Sequence, residues 1–190
     1  MNKSTKAIIG ILAIAVIIGY PLVTTYNKLV SLDQKVKTAQ SNIEAQLERR
    51  SALIPNLVET VKGYAAQEKG ILTELANART KLAGSVTLMD KANADTQLSS
   101  ALSRLLVVVE KYPDLKSNQN FRDLTISLEG TENRISIARQ DYNKTVDNYN
   151  TSIKRFPSSV VASLFRFNER AYYRASEISK EVPKVEFKKE

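Results

Sequence analysis

Three carboxylates, Glu129, Glu132 and Asp141, and a polar row of Arg139, Asn143 and Asn150 flanked by Tyr142 and Tyr149 concentrate chemistry-bearing side chains between Glu129 and Pro157. Paired carboxylates do acid–base work when they face one another across a scissile bond, whereas Glu129 and Glu132 lie one turn apart on what reads as a single helix. No facing partner is predicted for either. Composition removes most other chemistry: the 190 residues include no Cys, no His and no Trp, which excludes Ser-His-Asp triads, thiolate nucleophiles, His-ligated haem and Cys/His zinc sites. Di-iron bundles need Glu-x-x-His on two helices and fail for the same reason. A Ser-Lys dyad has nothing to single it out. The expectation is a non-enzymatic chain without catalytic, cofactor-binding or metal-binding residues.

The elements that must carry the polar row are helical. From Tyr26 onward apolar residues recur at spacings of three and four, and the chain has only six glycines and five prolines as punctuation. Leu29, Leu32, Val36, Ala39, Ile43 and Leu47 form one stripe, nearly continued by Val58, Val61, Ala65, Glu68, Leu72, Leu75 and Leu82. Between them, Ser51 as an N-cap would put Pro55 in a first turn, where its missing N–H is nearly harmless, while in mid-helix the same Pro costs about 3 kcal/mol. A break near Ser51 is therefore expected, with one long helix kinked at Pro55 as the alternative. Gly84-Ser85 ends the second helix. A third begins near Asp90, and its run Leu105–Val109 is expected to bury more than one face.

Pro113 and Asp114 make a turn, and Ser117 or Asn118 caps a fourth helix striped by Phe121, Leu124, Leu128, Thr131, Ile135, Ala138, Tyr142, Val146, Tyr149 and Ile153 until Pro157 stops it. The fold class expected is all-α: an antiparallel up-and-down bundle of about four long helices over residues 26–175, followed by a flexible charged tail, 176–190. After Pro157, helical spacing puts Val160, Val161, Leu164, Phe165, Phe167, Ala171, Tyr172 and Ala175 on one arc and Arg166, Arg170 and Arg174 on the other. That is a short C-terminal basic amphipathic helix, either a lid on the bundle or a contact for anionic lipid.

Ahead of the bundle, residues 1–6 are a short polar N-terminus and Ala7–Val23 is an unbroken apolar run of roughly 17 residues, about the minimum that crosses a hydrocarbon core. The exit, YPLVTTYNKL, holds no small-residue cleavage pattern and no Cys for lipidation, so an uncleaved single-pass anchor over 7–25 is favoured over a signal peptide. Tyr20 and Tyr26 sit where interfacial aromatics belong. Lys3 and Lys6 on one side face Lys28, Lys35 and Lys37 on the other, so the side of the membrane is undetermined. The bilayer is thus one expected partner, through residues 7–23, and another membrane or envelope protein a second. Net charge +8 suits an anionic neighbour, yet the basic residues are interleaved with Asp and Glu, and no nucleic acid is expected.

The segments YNKLVSLDQKV (26–36), QLERRSALIPNLVETVKGYAAQE (46–68), YPDLKSNQNF (112–121), GTENRISIARQDYN (130–143) and VDNYNTSIKRFP (146–157), in this order, strongly resemble the LemA family. The resemblance implies a bacterial single-pass membrane protein with a helical-bundle domain and no established biochemical activity. Three departures stand out: Gln40 where the family often has Trp, Gln67 where it often has His, and Arg166 where an F-G-F segment has Gly. The family name has also been attached to a sensor histidine kinase, a reading that zero His and no ATP-binding pattern exclude.

Two readings of the polar row remain. Either Tyr142 and Tyr149 fill core while Arg139, Asn143 and Asn150 bond a neighbouring helix and fix register, or the row lines a groove for a ligand or partner helix.

Overall fold

The computed structural model describes the backbone of residues 3–174 and the side chains of residues 17 and 19–174. Among these residues every regular element is a helix: α1 (Lys3–Lys62), α2 (Lys69–Gly84), α3 (Leu88–Val109), α4 (Pro113–Ser117), α5 (Gln119–Lys154) and α6 (Ser158–Leu164). The chain divides into two compact units, one of Met1–Asn42 with Gln140–Tyr172 and one of Ile43–Arg139 with Tyr173–Glu190. Helices α1 and α5 contribute to both.

The second unit is an up-down-up-down arrangement. Glu44 meets Lys91 and Arg50 meets Asp95, so α1 and α3 run the same way. Helix α2 follows α1 after the short turn at 63–68 and Arg79 meets Ser51, while Asn118, at the start of α5, meets Tyr64 and Glu132 meets Arg50, so α2 and α5 run against α1. Apolar side chains at helical spacing form the interior: Leu47, Ile54, Leu57 and Val61 from α1, Leu72, Leu75, Ala78 and Leu82 from α2, Leu98, Leu102 and Leu105 from α3, and Phe121, Leu128 and Ile135 from α5. Capping follows side-chain chemistry. Thr87 accepts from the Asp90 N–H at 3.1 Å and starts α3, and Asn118, one of the two caps expected there, accepts from the Phe121 N–H at 3.0 Å and starts α5.

Two expectations for this unit are corrected. No break occurs near Ser51: α1 continues through Pro55 to Lys62, and the chain turns instead at Gly63–Glu68. Pro55 stands on the exposed face, and the Ser51 carbonyl that its missing N–H would leave unmatched accepts from Arg79 Nε at 3.2 Å. The turn has its own partners, since Tyr64 OH accepts from Asn118 and Tyr112 OH donates to Glu68. The run Leu105–Val109 buries one face only: Leu105 and Val109 are buried and Leu106 and Val107 exposed.

In the first unit, Leu29 and Val36 of α1 and Tyr142, Val146, Tyr149 and Ile153 of α5 are buried, with Val161 and Ala162 from α6. The short basic amphipathic helix expected after Pro157, with Val160 to Ala175 on its faces, is also corrected in extent. Helix α6 ends at Leu164 in a Schellman motif: Phe167 N–H donates to Ala162 O at 2.9 Å and Arg166 N–H to Ser163 O, with Arg166 in the left-handed region at φ 57°. Residues 167–174 are not helical, so Arg166, Arg170 and Arg174 do not form a helical row.

Among the described residues no helix is long and apolar enough to cross a membrane. Most of the expected anchor, 7–25, and all of the expected tail, 176–190, lie outside the residues whose side chains are described.

Candidate functional site

The α5 polar row is occupied by the chain itself. Tyr149 OH donates to Asn168 O at 3.0 Å and Tyr142 OH to Ala171 O at 2.9 Å. Between them the Asn150 amide grips one residue twice: its Nδ2 donates to Arg170 O, and its Oδ1 accepts from the Arg170 N–H, both at 2.9 Å. The spacing is mechanical. Seven residues of α5, from Tyr142 to Tyr149, rise about 10 Å, and three residues of extended chain, Asn168 to Ala171, reach about the same length. The segment therefore lies antiparallel along α5 with its peptide groups bonded to side chains, which answers the need of every buried backbone polar group for a partner.

Charge locks this segment at Arg170. Its guanidinium donates to Asp33 Oδ1 of α1 from Nε at 3.1 Å and from Nη2 at 2.6 Å, and Lys37 pairs with the same carboxylate at 3.0 Å. Burial alone would raise the Asp33 carboxyl, but the bonds and charges of Arg170 and Lys37 outweigh it and hold it below the usual carboxylate range. Burial raises the Tyr142 and Tyr149 phenols, so both remain neutral donors at physiological pH. Tyr172 OH donates to Asp147 at 3.1 Å, and Lys154 pairs with Glu169 at 2.9 Å. Asn143 is half-buried on the same helix, and Arg166 and Arg174 are exposed.

Arg139 belongs to the second unit and to a different constellation, one that sequence reasoning missed. Asp95, buried on α3, accepts from Arg139 and from Arg50 Nη1, the latter at 2.7 Å. Arg50 also donates to Ser99 at 2.9 Å, and its Nη1 lies 2.7 Å from Glu132 Oε2, an ion pair without hydrogen-bond alignment. The Arg139 guanidinium lies over the Tyr173 ring, 5.1 Å from its centroid. Burial pushes the Tyr173 phenol up to about 12, with the Asp95 charge acting in the same direction. Burial also raises the Asp95 carboxyl, opposed by both arginines. Two cations and two carboxylates balance in formal charge, while Nε of Arg50 and Nε of Arg139 are buried without an acceptor. A signal was present: Arg50 and Asp95 stand at core positions of their stripes, three residues from Leu47 and Leu98.

Of the carboxylates that first invited a catalytic reading, Glu132 is thus engaged by Arg50, Glu129 lines a groove beside it, and Asp141 is exposed in the other unit. Among the described residues no group of three His, Cys, Asp or Glu side chains is arranged to hold a metal ion.

The model of the LemA family matches residues 39–187. The chain belongs to the LemA family. Among its relatives are Magnetosome protein MamQ 2 of Paramagnetospirillum magneticum, 27% identical with 87% of this chain and 70% of that protein covered, and Protein LemA of Metamycoplasma hominis, 26% identical with 81% and 71% covered. Magnetosome protein MamQ of Magnetospirillum gryphiswaldense is 27% identical over 85% of this chain and 71% of its own. The departures from the LemA family pattern now have places. Gln67 donates to Tyr112 OH at 2.9 Å, Gln40 is half-buried on α1, and Arg166 occupies a left-handed position that a Gly would fill without steric cost.

Proposed function

We propose that this LemA-family chain is a non-enzymatic helical module, tethered by Ala7–Val23 as a single span, that acts as an interaction or scaffold element at a bacterial cytoplasmic membrane. The observation carrying this reading is the use the chain makes of its polar side chains. Tyr142, Tyr149 and Asn150 bond its own backbone, and Arg50, Asp95, Glu132 and Arg139 bond one another. What remains outward is helix surface, including exposed Val107, Ile126 and Ile137 in the second unit. The apolar run supports the tether by its length and composition.

The tether is tested by alkaline carbonate extraction of cells: the full chain stays in the membrane pellet, and a chain beginning at residue 26 is released. Release of the full chain refutes the span. Photocrosslinking residues placed at Val107 and Ile126 test the scaffold role, which predicts a discrete adduct in living cells; monomer alone at both positions contradicts it.

A second reading rests on one groove in the second unit. A cavity of about 360 Å³ is lined by Leu57, Leu102, Leu105 and Leu128 and bordered by Arg50, whose buried Nε has no acceptor. It suits a small amphipathic ligand with an acceptor at one end. Binding of a short-chain fatty acid or alcohol series, followed by shifts of the Arg50 Nε–H resonance, discriminates this reading from the first.

A further inference from the structure

In the first unit, Phe156, Val160 and Leu164 follow one another at intervals of four and are 84%, 55% and 67% exposed, while the opposite side of α6, Val161 and Ala162, is buried. Phe165 continues the patch at 51% exposure. Val160 and Leu164 stand one turn apart on α6, Phe156 lies in the turn just before that helix, and large apolar side chains exposed on an element whose other side already packs are a surface made to be covered. What covers it is indicated by its neighbour. The Tyr26 ring of α1 packs on Phe165 with centroids 4.7 Å apart and on Phe167 at 5.8 Å. Tyr26 is the first aromatic beyond the apolar run that ends at Val23, so the patch adjoins the mouth of that run.

Length decides the depth. Seventeen helical residues, Ala7–Val23, rise about 26 Å against a hydrocarbon core of about 30 Å. A run this short draws the residues that follow it toward the interface, and Tyr26, with whatever packs on it, comes to the level where aromatic side chains settle. Arg155 and Arg166, both exposed, flank the apolar stripe and match anionic headgroups.

We propose that α6 and the turns on either side of it form an interfacial foot, with Phe156, Val160, Leu164 and Phe165 seated in the headgroup layer of the bilayer that the apolar run enters. The inference rests on the tether proposed above. It differs from a basic-helix contact in that apolar side chains carry it and the arginines only flank them.

The test uses the full chain in vesicles of phosphatidylcholine and phosphatidylglycerol. The natural sequence has no Cys, so a single environment-sensitive fluorophore can be placed at Ser163→Cys, beside the stripe, at Val23→Cys, in the run, or at Asp141→Cys, 13 residues up α5 from Lys154. Lipids with a nitroxide high on the acyl chain should quench the Ser163 and Val23 probes alike and leave the Asp141 probe bright. Adding Phe156→Ser, Val160→Ser and Leu164→Ser should abolish quenching at Ser163 and spare it at Val23. Quenching at Val23 with none at Ser163, or quenching at Ser163 that survives the triple serine change, overturns the foot alone. No quenching at Val23 overturns the tether and the foot with it.

Discussion

Arg79 Nε, on α2, donates to the carbonyl of Ser51, on α1, at 3.2 Å, and that carbonyl is the one four residues before Pro55. A proline inside a helix deletes the N–H that would have met this oxygen. The long helix is therefore maintained by a neighbour's side chain. Replacing Arg79 with Ala should destabilise the fold by about 1 kcal/mol, at the low end for an unmatched carbonyl because Ser51 is only half-buried. In a Pro55→Ala background, where the backbone N–H returns, the same change should cost less. A double-mutant cycle in urea measures the coupling, and equal costs in both backgrounds would refute it.

Asp95→Asn keeps the shape of the buried cluster and removes its shared charge. Arg50 and Arg139 would then face each other without their common counter-ion, a loss of about 3–5 kcal/mol for a broken buried pair. Chemical unfolding should show this as a large drop in the midpoint concentration.

Asn150→Leu removes both bonds to the Arg170 peptide, a loss of about 1–3 kcal/mol if the groups stay buried and unmatched. If the segment lifts away instead, hydrogen exchange at the Arg170 amide should accelerate and trypsin should cut after Arg170 sooner. Slow exchange at that amide in the variant would mean the segment is held by other contacts.

Arg166→Gly should stabilise the chain by about 1 kcal/mol, because a side chain in the left-handed region carries a steric cost that Gly avoids. Arg166→Val should do the reverse. The comparison of the two melting temperatures checks the conformation directly.

Stability should fall at both ends of the pH scale through identifiable groups. Asp33 has its folded pKa below its ordinary 3.8, so its contribution is present above that value and is lost as pH falls through the folded one. Asp33→Asn should flatten the acid limb. Tyr173 has its folded pKa raised from 10.0 to about 12, so its contribution is present below 10 and lost as pH rises toward 12. Tyr173→Phe should flatten the alkaline limb.

The helices of this protein were legible because burial imposes a period. The stripe from Phe121 to Ile153 predicts α5, and all its members are buried except Leu124 and Ala138, which are half-buried. The Asn118 cap and the stop after Gly84 are likewise local events, set by side chains a few residues away. Tertiary structure decided everything that required a partner distant in sequence. Pro55 could not be judged without Arg79, 24 positions on, and the α5 polar row could not be read without the peptide groups of Asn168, Arg170 and Ala171. Arg166 shows the limit most clearly. The residue after it in the helical pattern, Phe167, fits an amphipathic arc, but a single left-handed φ turns the chain out of the helix, and a backbone angle leaves no trace in a pattern of side-chain polarity.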